Sequence, residues 1–151
     1  TAEMLSRLVS FLKTAKKEFK MSNVDEIAFN KRTNNIEKYI VDDTIEFQYG
    51  LKCPPNVKAA GFYNFLMNQN PKYKNKYKMI GNGEKLKLYH CNHTTCEMYA
   101  YQPGAHPYEI APQVDYETQF EKSVIDPINR VLRATGLQTL NRNLIYSASL
   151  F

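Results

Sequence analysis

Between Lys52 and Lys87 the chain carries eight lysines against a single acid, Glu84, whereas residues 1–49 balance eight basic against eight acidic side chains. Tyr73 and Tyr77 are interleaved with Lys72, Lys74, Lys76 and Lys78. Closely spaced positive charge among aromatic rings can follow a polyanion such as a nucleic-acid backbone, neutralising its phosphates and releasing their counterions. A solvated, lysine-rich loop that keeps the chain soluble is the competing reading. Upstream, Arg32-Thr33-Asn34-Asn35-Ile36-Glu37-Lys38-Tyr39 is polar, turn-prone and rich in hydrogen-bond donors. Such a segment suits ligand contact and an ordinary Asn-rich turn equally.

Other chemistry is poorly served. His90-Cys91-Asn92-His93-Thr94-Thr95-Cys96 holds the ligand types zinc prefers. Structural zinc sites usually pair two ligands closely with a second pair far away, and only Cys53 is available elsewhere, so no metal site is expected. Gly81-x-Gly83 precedes a strand-like run instead of opening a helix, which makes it a turn and not a phosphate cradle. A nucleotidyl transferase needs paired aspartates for two metal ions, and no Asp-x-Asp arrangement inside an apolar strand occurs; Asp42-Asp43 reads as a loop. No Ser-His-Asp or Cys-His set is recognisable by position. The expectation is a chain with no catalytic residues and no cofactor of its own.

These residues must be carried by elements, and the pattern predicts an α+β fold. The longest helical signal runs over about 115–135, where Tyr116, Phe120, Val124, Ile128 and Leu132 recur every four residues and Ile125 and Val131 widen the stripe. Pro127 lies inside it and removes a donor, so a bend near Ser123 is expected. Gly136 can end the helix in a left-handed conformation, and Arg130 and Arg133 suit its negative end. A first helix over 2–20 places Leu5, Leu8, Val9, Leu12, Ala15 and Phe19 on one face, with Lys13, Lys16, Lys17 and Lys20 mainly on the flanks. A short strand or extended segment is expected over 27–31 and a brief strand over 45–49. A helix should start at Pro55 after the rigid Pro54-Pro55 and end at Asn70-Pro71. Residues 85–90 and 98–101 read as a small antiparallel hairpin entered through Gly81-Asn82-Gly83, followed by a proline-rich loop over 103–112, and 137–143 reads as a short helix or a connector.

At 151 residues and 43% hydrophobic content, the chain is expected to form one domain with one core. The boundaries read as a domain over 1–143 and a tail over 144–151. No apolar run is long enough to span a bilayer. Thr1 opens directly into amphipathic sequence, and the three cysteines read as reduced thiols, so an intracellular, cytoplasmic setting is expected. Net charge is +5, with pI near 9.0.

Several segments resemble, in order, the thumb of family B replicative DNA polymerases of T-even-like tailed bacteriophages. They are Asn34-Asn35-Ile36-x-Lys38-Tyr39, Lys52-Cys53-Pro54, Tyr63-Asn64, Gly83-Glu84-Lys85-Leu86, the nine residues Phe120-Glu121-Lys122-Ser123-Val124-Ile125-Asp126-Pro127-Ile128, and the terminal Ser149-Leu150-Phe151. The resemblance implies a thumb-like fold that grips double-stranded primer-template DNA by its phosphates and docks its tail into a sliding clamp. Asn34, Asn35, Lys38, Lys52, Lys85 and Lys122 then become DNA-contacting residues, and the basic block adds Lys58, Lys72 and Lys74. Ser149, Leu150 and Phe151 become the clamp-binding residues. The resemblance also implies a palm-bearing partner, as part of the same chain or as another subunit, holding the aspartates and the Mg2+ absent here. The setting would be the cytoplasm of the infected host cell. A small clamp-binding accessory protein without DNA contact and a zinc-dependent nucleic-acid binder are the readings from other classes.

Overall fold

The structure, a computed structural model, describes residues 2–39, 53–93 and 96–140. The expected strand over 45–49, Lys52, the expected clamp-binding residues Ser149, Leu150 and Phe151, and the expected boundary at 143 lie outside the described residues. The rest is mixed helix and sheet. In order, the elements are α1 (Ala2–Met21), α2 (Val24–Ile27), β1 (Phe29–Arg32), α3 (Ile36–Tyr39), α4 (Pro55–Gln69), α5 (Pro71–Lys74), β2 (Lys85–His90), β3 (Met98–Tyr101), α6 (Tyr116–Phe120), a π-turn (Glu121–Ile125) and α7 (Asp126–Ala134). None of the described helices is long and apolar enough to cross a membrane.

The chain divides into two compact units, one of residues 24–115 and the other of residues 1–23 with 116–151. One core was expected; the described residues hold two apolar clusters instead.

In the unit of residues 24–115, three antiparallel strands lie in the order β1-β2-β3. The register pairs Phe29 with Leu88 and Arg32 with Lys85 on one side of β2, and Tyr89 with Tyr99 on the other. Ile27 and Ala28, expected in the first strand, instead close α2 and enter the core, and the strand runs on to Arg32. The hairpin of β2 and β3 forms as expected. Helix α4 starts at Pro55, because proline presets φ and its missing N–H falls where no helical partner exists. It packs along β3 and buries Val57, Ala59, Ala60, Phe62, Tyr63 and Met67.

A layer of rings fills the sheet side of this core. His106 lies with its ring centre 4.8 Å from Tyr101 and 5.7 Å from Tyr89. The Tyr89 hydroxyl donates its one proton to Pro112 O at 2.6 Å, so at 3.1 Å it accepts from His106, which places the imidazole proton on Nε2. Asp25 ties the layer to the backbone by accepting from the Tyr101 hydroxyl and, at 3.1 Å, from Gly104 N.

In the other unit, Leu12 of α1 is buried with Phe120, Ile125 and Leu140, and Leu8, Val9, Ala15, Phe19, Val124, Ile128 and Leu132 pack around them. The expected helix faces differ at Leu5, which is exposed, at Val131 and at Lys16. Val131 is 64% exposed, because Val124, Ile128 and Leu132 already complete a face that its angular position misses. Lys16, expected on a flank, is buried, with Nζ 5.9 Å from the centre of the Phe120 ring, where the π face takes up part of its charge. The proline falls at a break in regular helix, as anticipated. It is accommodated by a π-turn in which the Asp126 N–H reaches back to Glu121 O. Pro127 has no N–H to offer the previous turn, so widening the helix by one residue re-pairs its neighbours. Gly136 ends the helix at φ 75, with Leu137 N bonded to Leu132 O at 2.8 Å, a Schellman closure. Over 137–140 no helix forms.

Leu86 is fully enclosed at the centre of the sheet. Replacing it with Ala should cost about 2–5 kcal/mol, the usual range for a buried leucine. Urea denaturation should show this as a lower midpoint with little change in slope.

Candidate nucleic-acid interface

Register determines which charges meet at the open end of the sheet. Arg32 stands directly opposite Lys85, and Lys31 opposite Leu86. Like charges facing across a ladder are destabilising by a few tenths to about 1 kcal/mol. Arg32 relieves part of this by donating from its guanidinium to Gly83 O at 2.9 Å. Lys31, Arg32 and Lys85 are all exposed, and none makes an ion pair among the described residues. With Asn30, Leu86 and Pro103 they line an open groove of about 520 Å³.

The loop of residues 33–39 is fastened beside this groove. Gly83 N donates to Thr33 O at 2.6 Å, and Ile36 N donates to Asn82 Oδ1 at 2.8 Å. The Asn82 amide also donates to the Glu37 carboxylate, which lowers that carboxyl's pKa. Asn56, one residue into α4, donates to Arg32 O at 2.8 Å. Gly83 at φ 76 and Asn35 at φ 59 supply the left-handed residues the two turns require, and asparagine tolerates that conformation better than most side chains. Asn35 therefore has a structural task as well as an exposed amide. Asn34 and Lys38 are exposed on the same loop. The structure thus brings Asn34, Asn35, Lys38 and Lys85 to one end of the sheet.

The remaining expected contacts are elsewhere. Lys58 is half-buried on α4, close enough to Cys53 and Cys96 to pull their thiols downward against the larger upward effect of burial. Lys72 and Lys74 are exposed on α5, and Lys72 Nζ stands 4.9 Å from the centre of the Tyr73 ring. Lys122 belongs to the other unit, where it pairs with Asp126 at 3.4 Å.

The lysine–tyrosine block is not a uniform row of free charge. Lys76 is bonded to Glu109 at 2.6 Å, and the buried Tyr77 donates its hydroxyl to the other oxygen of the same carboxylate, also at 2.6 Å. Together they hold the Glu109 carboxyl at about 2, well below its ordinary 4.5, with Lys76 the larger cause. Burial first, then the bond to Glu109, pushes the Tyr77 phenol up. Lys87 is turned inward as well, donating to Asp25 O at 3.0 Å. Tyr77 is a core residue here and not a stacking platform.

The two cysteines of the Cys/His segment belong to the core, whereas Asn92 and His93 are exposed. Cys91 and Cys96 are buried, and their thiols donate to Cys96 O at 3.4 Å and Met98 O at 2.8 Å. Burial pushes the Cys91 thiol up to about 11, which disfavours the thiolate that metals bind. His90 packs edge-on against Phe29, and the His93 ring lies tilted against Phe62. Among the described residues no group of three or more His, Cys, Asp or Glu is placed to hold a metal ion.

Lys31, Arg32, Asn56 and Asn82 are the site residues the sequence reading did not single out. Arg32 lay inside the donor-rich stretch, but its partner Lys85 is fixed by a pairing across 53 positions that no local pattern reveals. No protein-family model matches the chain, and a search of curated proteins finds no match.

Glu109 gives a pH signature. Its pKa is depressed on folding, so its contribution to stability is complete above about 4.5 and lost as pH falls towards 2. Glu109→Gln should melt at a lower temperature than the parent above pH 5, and the two melting curves should converge as pH approaches 2.

Proposed function

We propose that this chain is a grip for the phosphate backbone of double-stranded DNA, the thumb portion of a phage-type family B DNA polymerase. The observation that supports it most is the opposed, exposed pair Arg32 and Lys85 with Lys31 beside them around an open groove. Packing alone would not select three cations at the end of one short sheet, where they repel. A polyanion lying in the groove converts that repulsion into attraction, and Asn34, Asn35 and Lys38 on the adjoining loop add donors for phosphate oxygens. The polymerase assignment itself rests on the ordered segments that resemble phage thumbs.

In this reading the chain performs no chemistry. Contacts to phosphate carry no base information, so binding is tolerant of sequence and acts by slowing dissociation of the primer-template. Nucleotidyl transfer, with its aspartates and Mg2+, belongs to a palm-bearing partner. The tail residues Ser149, Leu150 and Phe151 would dock in an apolar pocket of a sliding clamp, and the complex would work in the cytoplasm of the infected host cell.

Titration of the isolated chain with duplex DNA at several salt concentrations tests this. Affinity should fall steeply with salt and vary little between unrelated sequences. Lys85→Ala should flatten the slope of log affinity against log salt by roughly 0.9, the loss of one phosphate contact. Lys76→Ala, which removes a lysine already bonded to Glu109, should leave that slope nearly unchanged. Salt-insensitive binding would overturn the reading, and clamp binding without any DNA signal would identify an accessory protein instead.

A further inference from the structure

Five residues on the outward side of the π-turn and α7, Lys122, Asp126, Asn129, Arg130 and Arg133, line a second open groove, of about 460 Å³. They recur at intervals of three and four, opposite the stripe of Phe120, Val124, Ile128 and Leu132 that packs inward. Not all five are equally available. Both polar ends of the Asn129 side chain are engaged with Leu140, donating to its O at 2.9 Å and accepting from its N at 2.7 Å. Lys122 is held by Asp126 at 3.4 Å, and both side chains are about half exposed. Arg130 and Arg133 are exposed, with no ion pair or side-chain hydrogen bond among the described residues. Both arginines were expected at the negative end of the helix, but only Arg133 lies in the last turn of α7, so helix polarity accounts for one of the three cations that edge the groove.

We infer that this groove is a second phosphate-contact surface, carried by Arg130 and Arg133, in which Asp126 restrains Lys122 and so weakens the hold. The inference rests on the duplex-binding reading but on different residues in a different unit. Arginine suits the task, because its planar fork meets two oxygens of one phosphate. From Lys122 to Arg133 the helix rises roughly 16 Å, the axial length of about five phosphates of one strand, so a single backbone can run along the groove. Among the five lining residues, Asp126 is the one that would repel a phosphate. An approaching strand must compete with it for Lys122, and the ion pair therefore sets how strongly the groove holds.

The test is the salt dependence of duplex binding by the whole chain carrying Arg130→Ala with Arg133→Ala, and separately Asp126→Asn. The double variant should flatten the slope by roughly 1.8, two phosphate contacts, whereas Arg130→Lys with Arg133→Lys should restore most of it. Asp126→Asn should bind more tightly and steepen the slope by up to about 0.9 as Lys122 is released. Circular dichroism and melting of each variant should match the parent, since all three side chains lie outside the core. If the arginine variants leave the slope unchanged while Lys85→Ala flattens it, the inference fails and the sheet groove stands. If the reverse holds, this groove stands and the sheet groove fails. If the parent shows no salt-sensitive duplex binding, both fall.

Discussion

Pairing Phe29 with Leu88 obliges Arg32 to stand opposite Lys85, because the two strands of an antiparallel ladder step in opposite directions from any one pair. A slip of one residue would turn Leu86 and Leu88 out of the core, at a cost of several kcal/mol of lost burial. That cost is far larger than the repulsion between two exposed cations. The core therefore dictates the charge arrangement. Gly83 and Asn35 serve the same register, since their left-handed turns let the loop of residues 33–39 bond back onto the turn that opens β2.

Formal charge is a poor guide to available charge in this chain. Lys76 and Lys87 count towards the basic block in the sequence, but one is bonded to Glu109 and the other to a backbone carbonyl. Lys16 is enclosed near Phe120. Among the described residues, the exposed charge left for a partner includes a cluster at the end of the sheet, Lys72 and Lys74 of α5 with Lys78 just beyond, Lys17 and Lys20 of α1, and the outward face of α7. A surface assembled this way attracts a polyanion to particular places instead of along a continuous lysine tract.

Local punctuation made much of the architecture legible. Pro54-Pro55 and Asn70-Pro71 bracket α4, Gly81-Asn82-Gly83 introduces β2, Gly136 closes α7, and each acts through its own backbone within a few residues. The four-residue repeat from Phe120 to Leu132 identified an inward face for the same reason. What escaped was set by partners far along the chain. Glu109 reaches Lys76 and Tyr77 from more than thirty positions away, and nothing within the 72–78 segment distinguishes the tyrosine that enters the core from one that stays at the surface. Of the candidate site, the donor-rich loop and Lys85 were visible in the sequence. Their juxtaposition with Lys31 and Arg32 belongs to the sheet.

The central claim is that duplex DNA meets the exposed cations at the end of the sheet and not those engaged inside the fold. Nuclear magnetic resonance of the 15N-labelled chain during titration with a short duplex of arbitrary sequence tests it residue by residue. The account predicts the largest shifts in the unit of residues 24–115 at Lys31, Arg32, Asn34, Lys38 and Lys85, fading as salt is raised, with Lys76, Tyr77 and Lys87 hardly moved. Shifts centred on the 72–78 segment, or none at the sheet end under conditions where DNA binds, would contradict it.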